Sequence, residues 1–244
     1  MMVSNNGKVA LITGGNKGLG KEIGRQLGAL GYTVVLAARD VTAGAAAAAE
    51  LVAAGYDAHT VRLEVTQADD IHHLVSYIES TFGKLDVLVN NAGIALEFDG
   101  NPTNADKVRR TLEVNLIAPY AITEALVPLL ARSTDARVIN QSSILGSISN
   151  AEAAWEQVAG FTAAGYSCSK AGLNMLTLIQ SKTLSDQGIA VAAAHPGWVK
   201  TDLGSQAAPM EVDEGASTVV TLLTIDRAQF PHGQLRHNDD RLPW

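Results

Sequence analysis

The stretch KVALITGGNKGLGKEI at residues 8–23 joins a short apolar run to a glycine-rich turn and then to the start of a helical pattern. The run VALI predicts a buried strand, and Ile23 and Leu27 recur at the spacing of one helix face. Gly31 is predicted to end that helix before a second apolar run at residues 33–39. Strand, glycine turn, helix and strand in this order predict a βαβ unit, whose two strands pair in parallel.

The alternation of short apolar runs with longer helical segments continues along the 244 residues. We predict further strands at residues 58–65, 85–90, 136–140, 189–195 and 233–236, and helices at 42–54, 69–82, 105–132, 166–184 and 213–223. Residues 196–212 lack a clean period and are predicted to form a loop that can move. Because no linker or internal repeat divides the sequence, residues 1–244 are expected to form a single α/β domain.

Composition and charge exclude several classes of partner. A formal net charge of −7 gives a nucleic-acid backbone no cationic surface to bind, so no nucleic acid is expected. The apolar stretches are far shorter than the roughly 20 residues of a membrane helix, so no membrane partner is expected. One cysteine, Cys168, forbids an intrachain disulfide, and the first residues lack a secretory signal, which favours a cytoplasmic protein. The histidines lack companions at metal spacing, so no metal is expected.

The glycine-rich turn TGGNKGLG, residues 13–20, lies between the first strand and the first helix. Glycines let the backbone turn tightly and approach a pyrophosphate, which then sits at the positive end of the helix. The residues assigned to a cofactor in this turn are Gly14, Asn16, Lys17, Gly18, Leu19 and Gly20. The alternative is a turn that only packs the helix on the strand, but its place inside a βαβ unit favours a dinucleotide site.

The end of the second predicted strand indicates which dinucleotide is bound. NAD sites place an acidic residue there to accept from the ribose 2′-hydroxyl, whereas the 2′-phosphate of NADP needs positive charge. The chain has Ala38 and then Arg39, and Lys17 could reach the same phosphate. These residues favour NADP(H). Asp40 is the opposing observation, since it could accept from the ribose or simply cap the following helix.

Tyr166 and Lys170 lie four positions apart in a predicted helix, so their side chains share a face. A tyrosine hydroxyl has a reference pKa near 10, and an adjacent ammonium can lower that pKa towards neutral. Such a tyrosine can donate a proton to a developing alkoxide. A tyrosine–lysine pair at this spacing is more often an exposed pair without a functional role. Its interpretation therefore depends on the neighbouring motifs.

Other polar residues follow predicted strands. Ser142 and Ser143 end one strand, and NNAG at residues 90–93 ends another. Ligands of doubly wound sheets bind beyond the carboxyl ends of the strands, so these groups are expected on one rim. Asn115 lies within a predicted helix, four residues before Pro119. Because proline has no N–H, the carbonyl of Asn115 lacks its usual hydrogen-bond partner and is free to hold a water. The alternative for Asn115 is a plain proline kink.

Together these motifs resemble the short-chain dehydrogenase/reductase family, in family order over nearly the whole chain. The motifs are TGGNKGLG at 13–20, NNAG at 90–93, Asn115, SS at 142–143, YSCSK at 166–170 and PGWVKTD at 196–202. The resemblance implies a single-domain Rossmann fold, with a doubly wound, seven-stranded and mostly parallel sheet flanked by helices. It also implies an oxidoreductase in which hydride passes from the cofactor to a carbonyl carbon.

The resemblance implies catalytic roles for four residues. Asn115 would position a relay water, and Ser143 would polarise the substrate carbonyl. Tyr166 would donate the proton, while Lys170 would lower the pKa of Tyr166 and hold the nicotinamide ribose.

Further cofactor contacts are implied by the same resemblance. Glu64 stands where the family commonly has aspartate beside the adenine, and Val199 and Thr201 match positions that hold the nicotinamide carboxamide. The residues implied outside the glycine turn and Arg39 are Glu64, Val65, Asn91, Ala92, Gly93, Tyr166, Lys170, Pro196, Gly197, Val199 and Thr201.

Within the family the chain is most similar to the carbonyl reductases, through AARDVTAG at the second strand and the patterns DEGA and PHGQ near the end. Those enzymes prefer NADPH and accept diverse ketones, aldehydes and quinones. The interval from Ser143 to Tyr166 is longer than in the compact family form and shorter than in animal carbonyl reductases. Its extra stretch, residues 150–162, is predicted to form a helix near the site, and both a monomer and a homo-oligomer stay open.

The sequence therefore predicts NADPH-dependent reduction of a small-molecule ketone, aldehyde or quinone, with Ser143, Tyr166 and Trp198 at the substrate. Trp198 and Leu203 belong to the predicted loop at 196–212, the substrate-loop region, and could line a pocket or anchor their own segment. Cys168 is expected to be a small buried or half-buried filler. The alternatives are an NAD-linked alcohol dehydrogenase and a non-catalytic NADPH-binding sensor.

Overall fold

The computed structural model describes residues 3–99, 102–157 and 162–244, which form an eight-stranded sheet with helices on both faces. The strands are β1 Val9–Thr13, β2 Thr33–Ala38, β3 Ala58–Arg62, β4 Val87–Asn90, β5 Ala136–Gln141, β6 Ile189–Ala194, β7 Leu235–His237 and β8 Asp240–Leu242. The α-helices are α1 Gly18–Ala29, α2 Val41–Ala53, α3 Ala68–Phe82, α4 Ala105–Leu112, α5 Ala118–Leu130, α6 Ala151–Gln157, α7 Ala164–Thr183 and α8 Val212–Thr224.

The strands lie in the order β3-β2-β1-β4-β5-β6-β7-β8, and every pairing from β3 to β7 is parallel. The chain winds outward from β1 in both directions, which confirms the predicted doubly wound Rossmann sheet. The predicted count of seven strands is one short, because β8 adds an antiparallel strand after a turn in which Asn238 has a φ of 50°. β7 and β8 have three residues each, too few for an alternating pattern to be detected.

The central strands β1, β2, β4, β5 and β6 are buried along their whole length. A parallel sheet covered by helices on both faces requires this, and it explains why these strands are continuous apolar runs in the sequence. Ile23 of α1 and Val219 of α8 pack on one face. Leu74 of α3 and Leu126 of α5 pack on the other. Because the strands are parallel, their carboxyl ends meet at one rim of the sheet.

Buried side-chain amides connect the centre of the sheet to two helices. Asn90 Nδ2, at the end of β4, donates to Asn140 Oδ1 of β5 at 2.8 Å and to Thr123 Oγ1 of α5 at 3.0 Å. Asn140 Nδ2 donates to Thr177 Oγ1 at 2.9 Å and to Gln180 Oε1 at 3.1 Å, both on α7. Loss of any of these partners would leave a buried polar group without a hydrogen bond, which would destabilise the folded protein by about 1–3 kcal/mol. The network therefore fixes α7 against the sheet.

The long helix predicted at residues 105–132 consists of three parts. α4 continues through a π turn, Glu113–Ile117, into α5. By length and composition alone the combined run, Ala105–Leu130, is long and apolar enough to cross a membrane, a test that core helices of soluble proteins also pass. Leu126 and Leu129 of this run are buried in the core that covers one face of the sheet. The α5 part of the run therefore serves as a core helix in this fold.

Two connections border the carboxyl rim of the sheet. α6 confirms the helix predicted within residues 150–162, while residues 158–161 of that stretch lie outside the described part of the chain. The loop predicted at residues 196–212 carries an isolated bridge between Val199 and Met210 before α8 begins. The bridge holds the two ends of the loop together.

The burial of α7 corrects one prediction. Tyr166 and Lys170 are buried on the inner face of this helix, whereas Cys168 between them is exposed. Residues two positions apart on a helix do not share a face, so burial of the tyrosine and the lysine turns the cysteine outward. The prediction that Cys168 is a buried or half-buried filler is therefore wrong.

Candidate active site

A cleft with a volume of about 1730 Å³ opens beyond the carboxyl ends of β1, β4, β5 and β6. The predicted site residues that line it are Gly14, Asn16, Lys17, Gly18, Leu19, Gly20, Arg39, Glu64, Val65, Asn91, Ala92, Gly93, Ser143, Tyr166, Lys170, Pro196, Gly197, Trp198, Val199 and Thr201. Asn115 is fully buried and contacts Ile94, which lines the cleft. The structure thus gathers the predicted cofactor and substrate residues around one cavity.

The backbone of the glycine turn has the shape of a phosphate cradle. Gly14 and Gly18 have φ values of 64° and 50°, which other residues rarely adopt. A Cβ on Gly20 would lie 2.5 Å from both Gly14 O and Asn91 Nδ2. The N-cap residue of α1, Lys17, makes no side-chain cap bond, so the first N–H groups of the helix keep their donors for an anion. The turn therefore fits a pyrophosphate.

Thr13 and Asn91 fix the glycine turn to the end of β4. Thr13 Oγ1 accepts from the backbone N–H groups of Asn91 and Ala92, both at 3.0 Å. Asn91 Nδ2 donates to Thr13 O at 2.8 Å. Sequence reasoning missed Thr13, although a hydroxyl residue directly before the glycines was the available signal. The motif NNAG thus supports the turn that it faces.

The contacts of Asp40 distinguish between its two predicted roles, a ribose acceptor and a helix cap. Its carboxylate accepts from Ala43 N at 3.0 Å and so caps α2. Arg39 is exposed, and it forms no hydrogen bond or ion pair with any residue that the structure describes. Lys17 Nζ lies 2.5 Å from Asp202 Oδ2, and this pairing lowers the pKa of the aspartate. The cation that remains free at the end of β2 is therefore Arg39.

Glu64 and Val65 lie where β3 leads into α3, at the side of the cleft. Glu64 N donates to Asp70 Oδ2 at 2.7 Å, and the buried Asp70 also pairs with Arg62. The Glu64 carboxylate accepts from Thr66 Oγ1 at 3.4 Å. Asp70, which sequence reasoning did not single out, thus holds the backbone of this segment in place.

Tyr166, Lys170 and Ser143 meet on the other side of the cleft. Lys170 Nζ donates to the carbonyl of Gln141, the last residue of β5, at 2.6 Å, and lies 5.5 Å from the centroid of the Tyr166 ring. Ser143 follows two residues after β5, and its Oγ accepts from Leu145 N at 3.2 Å. One strand end therefore places both the serine and the lysine beside the tyrosine.

Burial controls the ionisation of this group. It raises the pKa of Tyr166 to about 12, against a smaller lowering by the hydrogen bond with Ser143. It also lowers the pKa of Lys170 to about 8. The expectation that the pKa of Tyr166 is lowered towards neutral is wrong for this structure, because desolvation of the phenolate dominates. With its pKa raised in this way, the tyrosine keeps its proton at neutral pH.

Asn115 connects the segment after β4 to α7 through hydrogen bonds of its side chain. Its Nδ2 donates to Ile94 O at 2.8 Å and to Ser169 Oγ of α7 at 3.0 Å, while its Oδ1 accepts from Ile94 N at 2.9 Å. Asn115 lies in the π turn Glu113–Ile117, which directly precedes α5 and its Pro119. π turns inside helices often mark functional sites.

The loop that follows β6 lines the cleft. Trp198 lines the cleft, and its Nε1 also donates to Gly204 O at 2.6 Å, so both readings of this residue hold. Thr201 Oγ1 accepts from Gly204 N at 3.0 Å. Leu203 of this loop and Ala154 of α6 line the same cavity. The predicted helix therefore lies near the site.

Two histidines in the cleft were set aside by sequence reasoning. His195 and His237 line the cavity with their ring centroids 5.1 Å apart. Burial lowers the pKa of His195 to about 3, so its ring is neutral. The partner of His195 lies on β7, a strand too far along the chain for any local pattern to reveal the pair.

The chain is similar to known proteins in both sequence and structure. A sequence model of the family described as short chain dehydrogenase matches residues 8–212. Human carbonyl reductase [NADPH] 1 is 33% identical over 93% of this chain and 94% of its own length. The NADPH-bound carbonyl reductase from chicken fatty liver superposes with a TM-score of 0.85 at 29% identity, covering 99% of this chain and all of that one. Carbonyl reductase Sniffer of D. melanogaster superposes with a TM-score of 0.83 at 28% identity, over 98% and 99%. The chain belongs to the short-chain dehydrogenase family.

Proposed function

We propose that the protein, acting as one domain over residues 1–244, reduces the carbonyl group of a small ketone, aldehyde or quinone with NADPH. The observation that carries the proposal is the meeting of Ser143, Tyr166 and Lys170 in the cavity that also holds the glycine turn. The names of the similar proteins, which are carbonyl reductases that use NADPH, support the choice of cofactor and of substrate class.

In this proposal each side chain has a defined task. NADPH, when bound, supplies the hydride that adds to the carbonyl carbon. The Ser143 hydroxyl donates to the carbonyl oxygen, and Tyr166 transfers its proton to that oxygen as negative charge develops there. The Lys170 ammonium stabilises that charge and holds the nicotinamide ribose. Asn115 fixes the backbone beside Gly93 and positions a relay water.

The proposal is tested by measuring the absorbance of reduced nicotinamide after ketones, aldehydes or quinones are added to the purified protein. NADPH and NADH are compared side by side, and alcohols are offered with the oxidised cofactors. Consumption of NADPH with a carbonyl substrate is the expected result. Turnover of alcohols with NAD alone would favour a dehydrogenase, and tight NADPH binding without any turnover would favour a sensor.

Arg39→Ala is expected to raise the KM for NADPH by about 10- to 100-fold, because a hydrogen bond to a charged group contributes about 1.5–3 kcal/mol. The KM for NADH should stay unchanged, since the arginine would contact only the 2′-phosphate. Initial rates with each cofactor measure both values. Asp40→Asn is the matched control: it retains the helix cap and should leave the cofactor preference as it is. An unchanged KM for NADPH in Arg39→Ala would contradict the assignment of Arg39.

The rate of carbonyl reduction is expected to be flat between about pH 6 and pH 7 and to fall as the pH rises through about 8. Tyr166, with its pKa raised to about 12, stays protonated throughout, whereas Lys170, with its pKa lowered to about 8, loses its charge. A profile of kcat/KM against pH with an uncharged ketone measures this. A rate that rises through pH 8 would show that charge on the lysine is not needed.

A further inference from the structure

Glu97 lies in the short turn Leu96–Asp99 that follows β4, and its side chain is directed into the fold with 3% of the residue exposed. Its Oε1 accepts from Gly165 N and its Oε2 from Tyr166 N, each at 2.8 Å. Thr103 Oγ1 donates to Oε1 at 3.4 Å. One carboxylate therefore binds two successive backbone N–H groups in the first turn of α7.

These contacts supply a cap that α7 lacks in its own sequence. The N-cap residue is Ala163, whose methyl group cannot accept a hydrogen bond. The first N–H groups of a helix have no partner within it, and a negative charge there interacts favourably with the helix dipole. Among the residues that the structure describes, Glu97 forms no ion pair, so the helix terminus and Thr103 are what stabilise its carboxylate. Glu97 thus acts as the N-terminal cap of α7 from outside the helix.

The capped turn is the one that carries the proton donor. Tyr166 is the third residue of α7, and the N–H bound by Glu97 Oε2 is its own. A Cβ on Gly165 would lie 3.1 Å from that same oxygen, so the glycine allows the close approach. Phe98, the neighbour of Glu97, packs its ring 5.6 Å from the Tyr166 ring and lines the cleft.

We propose that Glu97 is a positioning residue for the reaction. It acts through the first turn of α7 and fixes the backbone of Tyr166, and thereby the phenol, against Ser143 and the substrate carbonyl. This inference rests on the proposed function, in which Tyr166 donates the proton. It adds a residue that belongs to none of the motifs in the sequence.

Glu97→Gln is the variant that tests the proposal, because glutamine retains the size of glutamate. Its oxygen can accept from one of the two N–H groups, while its NH₂ faces the other donor. We expect kcat to fall about 10- to 100-fold, since small misplacements of a reacting group can reduce rates by that factor. The Kd for NADPH, measured by fluorescence titration, should change by less than about two-fold, because the glycine turn is untouched. Amide exchange at residues 165 and 166 should become about 10- to 100-fold faster, with the middle of α7 unchanged.

Asn104→Ala is the matched control. It removes the cap of the neighbouring helix α4, where Asn104 Oδ1 accepts from Lys107 N at 2.9 Å, and should reduce thermal stability without changing kcat. Glu97→Asp retains the charge on a shorter side chain and should give a kcat between those of the wild type and Glu97→Gln. If the glutamine variant folds poorly, the aspartate variant provides the test instead. Wild-type kcat in Glu97→Gln, or an equal loss in Asn104→Ala, would overturn the proposal.

The exchange measurement separates this proposal from the proposed function. If the wild type reduces no carbonyl compound, the proposed function fails, and the exchange rates at residues 165 and 166 still decide whether Glu97 holds the turn of Tyr166. Unchanged exchange in Glu97→Gln would refute the cap itself, even in an active enzyme.

Discussion

Tyr166→Phe is expected to lower kcat for carbonyl reduction by about 100- to 10,000-fold, the usual contribution of a positioned general acid. In the proposed reaction Tyr166 donates the proton. Burial raises its pKa to about 12, so the hydroxyl that the variant loses is otherwise protonated at every physiological pH. Phenylalanine preserves the ring that packs 5.6 Å from Phe98. The fold and the Kd for NADPH should therefore be retained.

Turnover of NADPH and fluorescence titration of NADPH binding measure the two expectations separately. Tyr120→Phe is the matched control, because Tyr120 is half exposed on α5 and its hydroxyl donates to Glu124 at 3.3 Å, away from the cleft. If Tyr166→Phe kept more than about a tenth of the wild-type kcat, Tyr166 would not be the proton donor.

Lys170→Met is expected to lower kcat/KM by about 100- to 1000-fold, because removal of a preorganised group that stabilises developing charge has effects of this size. The same variant is expected to be more stable than the wild type. Burial lowers the pKa of Lys170 from 10.5 to about 8, which at 1.36 kcal/mol per pKa unit destabilises the folded protein by roughly 3 kcal/mol. Loss of the donor to Gln141 O offsets about 1 kcal/mol of the gain.

The pH dependence of that gain has a defined sign. Below pH 8 the lysine is charged in both the folded and the unfolded state, so the whole penalty is present. Between about pH 8 and 10.5 the folded lysine is neutral while the unfolded one is still charged, so the stability of the wild type rises relative to Lys170→Met.

Thermal unfolding of both proteins at pH 7 and near pH 10 measures this difference, which should be a few degrees at pH 7 and smaller at pH 10. Lys182→Met, an exposed lysine in the last turn of the same helix, controls for the gain of a methionine. A lower melting temperature for Lys170→Met at pH 7 would show that the buried ammonium stabilises the fold.

The sequence was sufficient to predict the alternation of strands and helices, because the strands that position the site are buried along their whole length and are continuous apolar runs. The glycine turn could also be predicted from the sequence, because its backbone at Gly14 and Gly18 has φ values that other residues rarely adopt. The residues around the cleft followed from these elements, because parallel strands end on the same side of the sheet.

What could not be predicted depends on contacts between distant residues. Glu97 and Tyr166 are 69 positions apart, and no period relates a carboxylate in an irregular turn to the start of a helix. The direction of the Tyr166 pKa was missed for a similar reason: the sequence places a lysine nearby but does not give the degree of burial, which decides the balance. Lys17 was assigned to the cofactor, yet its pairing with Asp202 could be seen only in the folded chain.

The hairpin of β7 and β8 also bears on solubility. β8 is an edge strand, and an edge presents unpaired backbone groups to which a strand of another molecule can add. Here the edge has three residues, two of which are the exposed, charged Asp240 and Arg241. A strand so short and so charged is a poor template for intermolecular pairing, so the hairpin protects this side of the sheet from aggregation.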